Sequence, residues 1–411
     1  MSVAPPDVGA LLSADAVRGA SRRMLELAMA GSLPDWTVDR DRLPAVADFV
    51  AEVIRERYPT LQVPFHARWR HFVFAGRDLW SEIASRARWP DAAAAARAEF
   101  DLAITSVLLD AGAGAQWRYS DDALGLTAVR SEGLALASLR WFERGGFSDD
   151  PRDVLRADAA ALEFVDSDAV ERAFQSREGN RLEGASGRAA LLNRLGTVVR
   201  GRSDLFASRD RPRPGGLFDA LARRASDGEI SAAAVLEVVL EALGPIWPDR
   251  LVLGGVSLGD CWLHPEFAGP AVTDRYVPLH KLSQWLAYSL LEPLEKAGLR
   301  VVDLGALTGL AEYRNGGLFV DLGVLVPRDP AAVTRVHEVS DPFVVGWRSL
   351  TVALLDEVAP LVTGRLGVKG EEFPLARVLE GGTWAAGRIM ARKLRSDGGP
   401  PFKISSDGTV F

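Results

Sequence analysis

Helical periodicity constrains the fold of this chain more than any other feature. Apolar residues recur every three to four positions over Leu43–Tyr58, Asp91–Leu109 and Ser131–Arg144, a spacing typical of amphipathic helices. Glycine signals such as Gly112 and Gly145–Gly146 follow several such segments and are typical of helix ends. The sequence therefore predicts a mostly α protein arranged as a helical array.

Strand patterns are scarce. The better ones cover Leu299–Leu304 and Leu318–Val326 and predict no more than a small sheet or hairpin. A doubly wound α/β fold needs many regularly spaced strands and a glycine fingerprint after the first strand, and the sequence has neither. We therefore expect only a small β element beside the helices.

The chain length of 411 residues would allow two or three domains. Because no repeat period or second composition class is present, we predict one mostly helical unit over residues 1–411. Residues 200–216 are rich in Arg, Asp, Ser, Pro and Gly and lack apolar periodicity, as long connections do. We expect this connection to join two lobes, residues 1–200 and 217–411.

Composition argues against several classes of function. With 48 Lys and Arg against 55 Asp and Glu, the net charge is -7, which disfavours binding along a nucleic-acid backbone. The most apolar stretches are interrupted by charges before they reach the length of a membrane span. The single cysteine, Cys261, cannot form an internal disulfide. We expect a cytoplasmic protein that acts on a small molecule and binds neither nucleic acid nor membrane.

A helix is predicted over Leu279–Lys296. His280, Gln284 and Tyr288 recur in it at four-residue steps beside Lys281, so they share one helical face. Such a polar face either lines a pocket or is solvated, and the pattern alone leaves both alternatives open.

Four polar functions stand side by side in LTGLAEYRNGG, residues 307–317: Glu312, Tyr313, Arg314 and Asn315. Flanking leucines place them at the edge of a core, where burial would raise the pKa of Glu312 unless Arg314 or hydrogen bonds offset it. The alternative is a helix end with a local Glu–Arg ion pair and a Gly-Gly C-cap.

Other patterns carry less information. Trp69 and His71, in VPFHARWRHF at residues 63–72, suit either stacking on a ligand or a place in the core. Residues 255–259 match G-x-S-x-G, but Pro265 follows within a few residues, which favours a glycine-rich turn over a nucleophile elbow. The candidate metal ligands are His264, Glu266, Asp274 and His280. Their irregular spacing disfavours a metal site, and we predict no metal and no cofactor.

Several long motifs in one order resemble a known family. They are HPEFAG, TDRYVPLHKLSQWLAYSL, LTGLAEYRNGGLFVDLGVL, EGGTWAAGR and the closing SDGTVF. Together they are similar to the family of the fourth protein of the fungal uracil-catabolism (URC) pathway, which has many bacterial members. The resemblance runs from about VPFHARWRHF to Phe411. It implies a role in a uracil-breakdown route that passes through a ribosylated urea, without an assigned reaction.

A second, shorter resemblance bears on mechanism. Queuosine salvage proteins, which are nucleotide N-glycosidases, carry a Lys-x-x-Gln helix followed about thirty residues later by Leu-Thr-x-x-Ala-Asp-Tyr-Arg. The matching residues here are Lys281 and Gln284, then Leu307, Thr308, Ala311, Tyr313 and Arg314. Glu312 stands where those proteins have a catalytic Asp. The resemblance implies an all-helical fold related to DNA glycosylases, with Lys281 holding a phosphate.

These resemblances lead us to expect an N-glycoside hydrolase that cleaves ribosylurea, or its 5′-phosphate, to urea and ribose or ribose phosphate. Glu312 would stabilise the oxocarbenium-like transition state or align the attacking water. Asp274, His280 or Tyr313 would supply a proton to the urea. The residues expected to bind substrate are Lys281, Gln284, Tyr313, Arg314, Asn315, Tyr276, Trp285, Trp69 and His71.

Two alternatives stay open at the level of sequence. One is an amidohydrolase acting on a ureido intermediate, in which His264, Asp274 and His280 would bind a metal that activates water. The other is a non-catalytic nucleotide-binding module with a glycosidase-like pocket.

Overall fold

The computed structural model of the chain describes residues 8–110, 112–114, 116–206, 211–247 and 250–405. The described residues are mostly α-helical, with small strand pairs and no closed sheet, which confirms the predicted fold class. The chain divides into two compact units. The first consists of Met1–His66, Asp249–Gln284 and Asp303–Phe411, and the second of Ala67–Pro248 and Trp285–Val302.

The predicted lobes do not coincide with these units. Residues 200–216 lie within the second unit, so the Arg-rich connection does not separate the two. The chain leaves the first unit after His66 and returns to it at Asp249. This division rests on long-range contacts, which local composition does not record.

Helices dominate the first unit, and the long helix Pro342–Leu366 is their centre. It packs against four other helices of this unit. All residues from Phe343 to Leu355 are buried, because neighbours cover every face of this half. Residues Leu379–Thr383 form a π-helix. The other α-helices of the unit are Ala14–Met29, Leu43–Arg57, Tyr313–Asp321, Leu375–Val378 and Trp384–Leu394.

Four short strand pairs complete the first unit. Cys261–Leu263 runs antiparallel to Tyr276–Pro278, with Cys261 opposite Pro278, and this pair leads directly into the helix Lys281–Lys296. The remaining pairs are Trp36–Val38 with Leu325–Pro327, Val252–Leu253 with Val256–Ser257, and the parallel pair Val336–Glu338 with Lys403–Ser405.

The second unit is also helical. Its α-helices are Leu79–Ala84, Ala92–Leu108, Arg130–Glu143, Ala159–Leu162, Ser167–Ala173, Ala185–Gly201, Ser203–Phe206, Gly216–Arg224 and Ala232–Leu243. Helix Lys281–Lys296 starts in the first unit and continues in the second. The strand pairs are Val73–Phe74 with Arg77–Asp78, Tyr119–Asp121 with Leu126–Ala128, and the parallel pair Glu229–Ser231 with Arg300–Val302.

The strongest periodic segments were predicted to within one residue at each end. The structure has helices at Leu43–Arg57, Ala92–Leu108 and Arg130–Glu143. Asp91 caps the second of them by accepting a hydrogen bond from the amide of Ala94 at 2.7 Å, as N-cap residues do. None of the described helices combines the length and the apolar composition that crossing a membrane would require.

The prediction of a strand over Leu318–Val326 is wrong for most of its length. Leu318 to Asp321 form the last turn of helix Tyr313–Asp321, and only Leu325–Pro327 is a strand. Gly323 separates the two with φ of +74°, a left-handed conformation that glycine adopts without steric cost. A short apolar run has the same composition in a buried helical turn as in a strand.

Two helical glycines offer a matched test of the packing in the first unit. A Cβ added at Gly387 would lie 2.1 Å from the carbonyl oxygen of Arg314, whereas one added at Gly364 would meet nothing within 4 Å. We expect Gly387→Ala to lower the free energy of unfolding by about 1–3 kcal/mol through overpacking. Gly364→Ala should raise it by up to about 1 kcal/mol, since alanine favours helix. Urea titration of both variants measures this, and equal stabilities would contradict the packing described.

Candidate functional site

Glu312 is the N-cap of helix Tyr313–Asp321. Its carboxylate accepts hydrogen bonds from the backbone amides of Arg314 at 2.8 Å and Asn315 at 2.6 Å. The alternative of a helix end with a Gly-Gly C-cap is therefore wrong, because the helix starts here and Gly316 lies inside it. A Cβ at Gly316 would come within 2.8 Å of the side chain of Thr351, so glycine permits the close approach of this helix to the long helix.

Burial is the main influence on the charge of Glu312, whose side chain is almost fully enclosed. It raises the pKa of this carboxyl above its ordinary value, since a charged group loses hydration in the interior. The amides of Arg314 and Asn315 and the positive charges of Lys281 and Arg314 act in the opposite direction. The charge of Lys281 therefore acts on Glu312, as expected if the two side chains belong to one site.

The segment before Glu312 is held by side-chain hydrogen bonds. Gln284 is fully buried; its amide nitrogen donates to the hydroxyl of Thr308, and its amide oxygen accepts from the backbone N–H of Thr308 at 2.9 Å. The guanidinium of Arg18 donates to the backbone oxygens of residues 305, 306 and 307 at 2.9–3.0 Å and pairs with Asp356 at 2.8 Å. Gln284, predicted to bind substrate, thus fixes the backbone that leads to Glu312.

A buried ion pair joins the elements of the site. Both oxygens of Asp260 accept from the guanidinium of Arg348, at 2.8 and 2.7 Å. The same carboxylate accepts from the backbone N–H of Lys281 at 2.9 Å, and the Nε of Arg348 donates to the carbonyl of Ala311 at 3.1 Å. The pair therefore connects the start of the Lys281 helix to the residue before Glu312.

Asp260 is ionised within the protein. Burial alone would raise its pKa, but the charge of Arg348, together with hydrogen bonds from Arg348, the amide of Lys281 and the indole of Trp262, holds the pKa well below its usual range. No local sequence pattern indicates this pair. Arg348 lies within the apolar stretch Val344–Val362, and buried charges are almost always paired. The sequence therefore indicates that Arg348 has an ion-pair partner, but it does not identify that partner.

The polar face of the Lys281 helix is buried. His280, Gln284 and Tyr288 each have no exposed surface, so the alternative of a solvated face is wrong. His280 adopts a left-handed backbone with φ of +46°, and its Nε2 lies 2.9 Å from the carbonyl oxygen of Leu11. Burial lowers the pKa of this imidazole, so it is neutral, donates from Nε2 and has an unprotonated Nδ1 without a partner among the described residues.

The other predicted residues of the first unit lie in different surroundings. Asp274 is half-buried in the 3₁₀ turn Val272–Arg275 and accepts from the amide of Ala271 at 2.9 Å. Tyr276 packs against the apolar cluster Val8, Leu11, Leu258 and Cys261. No contact described in the structure joins either residue to Glu312, so their roles at the site stay predictions.

Two buried polar atoms beside Glu312 have no hydrogen-bond partner among the described residues: the Nε of Arg314 and the Oδ1 of Asn315. Arg314 also donates from Nη1 to the carbonyl of Gly398 at 2.8 Å, and its guanidinium lies 4.8 Å from the ring centroid of Tyr313. The amide nitrogen of Asn315 donates to Leu310 at 3.3 Å. Buried polar atoms are normally satisfied, so a polar ligand or a water is the expected partner for such atoms.

EGGTWAAGR also lies against the Glu312 helix. It begins in the π-helix Leu379–Thr383, a rare turn that occurs frequently at functional sites. The carboxylate of Glu380 is buried there, 2.8 Å from the Nδ1 of His66. Gly387, in the following helix, approaches the carbonyl of Arg314. The motif SDGTVF, residues 406–411, lies outside the described residues.

The predicted aromatic residues belong to the second unit. The indole of Trp69 donates to the carbonyl of Ser289 at 2.7 Å, and its ring packs against Phe72 and Trp80, so it is almost fully buried. His71 meets the ring of Trp285 edge to face at 5.7 Å. These contacts are core packing, and contact of Trp69, His71 or Trp285 with a ligand stays a prediction.

The described residues contain no group of three or more His, Cys, Asp or Glu side chains placed to hold a metal ion. The Nε2 of His280 is hydrogen-bonded to the carbonyl oxygen of Leu11, and the Nδ1 of His264 accepts a hydrogen bond from the amide of Glu266 at 3.3 Å. The ligand set His264, Asp274 and His280 of the amidohydrolase alternative is therefore not assembled.

The Asp260–Arg348 pair generates a quantitative prediction. Asp260→Asn leaves a buried guanidinium without its counter-charge and should lower the free energy of unfolding by about 3–5 kcal/mol. The matched control is Glu357→Gln, which removes a partly exposed pair with Arg40 and should cost less than about 1 kcal/mol. In denaturant titrations, the double variant Asp260→Asn/Arg348→Met should lose less than the sum of the two single changes. Additive losses would show that the pair is not coupled.

Comparison with known proteins places the chain in a family. It is 40% identical to Protein urg3 of Schizosaccharomyces pombe over 98% of this chain and 99% of that protein. It is 36% identical to Uracil catabolism protein 4 of Lachancea kluyveri over 92% of each. The family model described as Protein of unknown function (DUF1688) matches residues 10–411. The chain therefore belongs to the DUF1688 family, which includes a fungal uracil-catabolism protein, as the sequence motifs had predicted.

Proposed function

We propose that this protein acts in uracil catabolism by hydrolysing the N-glycosidic bond of ribosylurea or its 5′-phosphate. The observation that carries the proposal is the buried carboxylate of Glu312, on which the charge of Lys281 acts. A relative named Uracil catabolism protein 4, 36% identical over 92% of the chain, supports the pathway. The unsatisfied atoms of Arg314 and Asn315 supply a donor and an acceptor for a polar substrate.

The chemistry requires negative charge beside the anomeric carbon. As the bond to urea breaks, positive charge develops on that carbon, and a fixed carboxylate stabilises it. Glu312 suits this task because its oxygens are held by two backbone amides in an interior where electrostatic interactions are strong. The carboxylate needs little reorganisation during the reaction, since its position is already set.

Lys281 is our candidate for binding the phosphate of the substrate. Its side chain is half-buried, and its backbone amide is bonded to Asp260, which fixes where the side chain starts. An ammonium group acts on a phosphate as a point charge. Binding energy from the phosphate would then position the glycosidic bond near Glu312.

Tyr313 is our candidate for the proton donor to urea. It follows Glu312 directly and is half-buried. His280 is a weaker candidate, because burial lowers its pKa and its Nε2–H donates a hydrogen bond to the carbonyl oxygen of Leu11. Asp274 accepts a hydrogen bond from the amide of Ala271 in its own turn, and no described contact joins it to Glu312.

Two substitutions separate the proposed roles. Glu312→Gln removes the charge and should reduce kcat for urea release by at least about a hundredfold, the scale of losing one preorganised electrostatic group. Lys281→Met should raise KM for ribosylurea 5′-phosphate by about tenfold or more and leave KM for unphosphorylated ribosylurea unchanged. Urea and ribose are assayed with both substrates. Unchanged turnover in Glu312→Gln, or an equal effect of Lys281→Met on both substrates, would contradict the assignment.

The raised pKa of Glu312 predicts a pH profile. Activity requires the ionised carboxylate, so kcat/KM should fall as the pH decreases through a pKa above the ordinary glutamate value of 4.5. Lys281 lowers this pKa; in Lys281→Met the acidic limb should therefore move to higher pH. A limb that stays in place or moves to lower pH in this variant would show that Glu312 does not control it.

A further inference from the structure

A cavity of about 720 Å³ in the second unit has an unusual charge for this protein. The whole chain carries a net charge of -7, yet only two of the residues that line this cavity are acidic, Glu143 and Asp153. Six are arginines: Arg86, Arg88, Arg97, Arg152, Arg156 and Arg213. Its volume is in the range of sites for small molecules.

Two of these arginines are buried and fixed. Arg156 pairs with Asp158 at 2.7 Å, and the Nε of Arg213 donates to Asp101 at 2.9 Å. Neither Asp158 nor Asp101 lines the cavity. A guanidinium carries five N–H donors, and a carboxylate engages only some of them. Arg156 also pairs with Asp153 at 3.0 Å, and Arg86 pairs with Glu143 at 3.1 Å. The wall therefore has four more guanidinium groups than carboxylates.

Three further arginines of the cavity are exposed: Arg86, Arg88 and Arg152. Arg88 forms no ion pair with any residue that the structure describes. Arg152 contacts Asp150, two residues away, at 3.2 Å, and such exposed pairs contribute little stability. An anion can therefore recruit Arg88 and Arg152 at little cost to the fold.

The cavity also has an apolar wall. Trp89 is half-buried, and its indole nitrogen donates to the carbonyl of Ala84 at 3.1 Å, which fixes the orientation of the ring. Ile83, Val154 and Leu155 line the same cavity. A flat aromatic surface next to several guanidinium groups suits a ligand with a planar or apolar part and a phosphate.

We propose that this cavity is a second ligand-binding site that takes a small phosphate monoester with a planar ring, such as a nucleoside monophosphate. Arg88 and Arg152 contact the phosphate, and Trp89 contacts the ring. The site uses none of the residues assigned to the Glu312 site, and the proposal holds whether or not the protein cleaves an N-glycosidic bond.

Calorimetric titration of the full chain with uridine 5′-monophosphate tests the proposal. All proteins carry Lys281→Met, so that the phosphate anchor of the Glu312 site is absent. Arg88→Glu/Arg152→Glu should weaken binding at least about tenfold, since hydrogen bonds to a charged group are lost. The matched control is Arg172→Glu, an exposed arginine of the same unit that does not line the cavity, and it should bind as the parent does.

Chemical controls identify the recognised group. Uridine, which lacks the phosphate, should bind about tenfold more weakly than uridine 5′-monophosphate, and Trp89→Leu should weaken binding of the nucleotide but not of inorganic phosphate. The proposal is overturned if the parent protein does not bind the nucleotide at millimolar concentration, or if Arg88→Glu/Arg152→Glu binds it as tightly as Arg172→Glu does.

Discussion

The geometry of the candidate site depends on the ion pair between Asp260 and Arg348. Asp260 also bonds the amide that starts the Lys281 helix, and Arg348 bonds the carbonyl next to Glu312. Two charges in the interior are costly unless their geometry is good and their remaining hydrogen-bonding groups are satisfied. Here the carboxylate accepts from four N–H groups. One buried pair thus sets the distance between the two elements on which the proposed chemistry relies.

Polar side chains around this pair serve mainly to hold the backbone. Gln284 fixes Thr308 through both ends of its amide, and Arg18 holds the three preceding carbonyls. Residues that resemble substrate ligands in sequence are therefore not all free to contact substrate. Beside Glu312, the buried atoms without a hydrogen-bond partner among the described residues are the Nε of Arg314 and the Oδ1 of Asn315.

Sequence patterns predicted what local periodicity and motifs record. The helices at residues 43–57, 92–108 and 130–143 follow from apolar spacing, and the family follows from long motifs. The helix over Leu318–Asp321 was missed because a short apolar run does not distinguish helix from strand. The Asp260–Arg348 pair and the bounds of the two units were missed for another reason. They join residues far apart in the chain, and no local pattern encodes which partners meet.

The cap at the start of helix Tyr313–Asp321 gives Glu312 a second duty. Asp, Asn, Ser and Thr are the preferred N-cap residues. A glutamate at this position stabilises the helix start less than they would, but its longer side chain extends the carboxylate further from the backbone. Each time Glu312 takes up a proton, it becomes a poorer acceptor for the amides of Arg314 and Asn315. Acidification therefore loosens the first turn that carries Tyr313, Arg314 and Asn315, and the chemical state of one side chain is coupled to the local order of its neighbours.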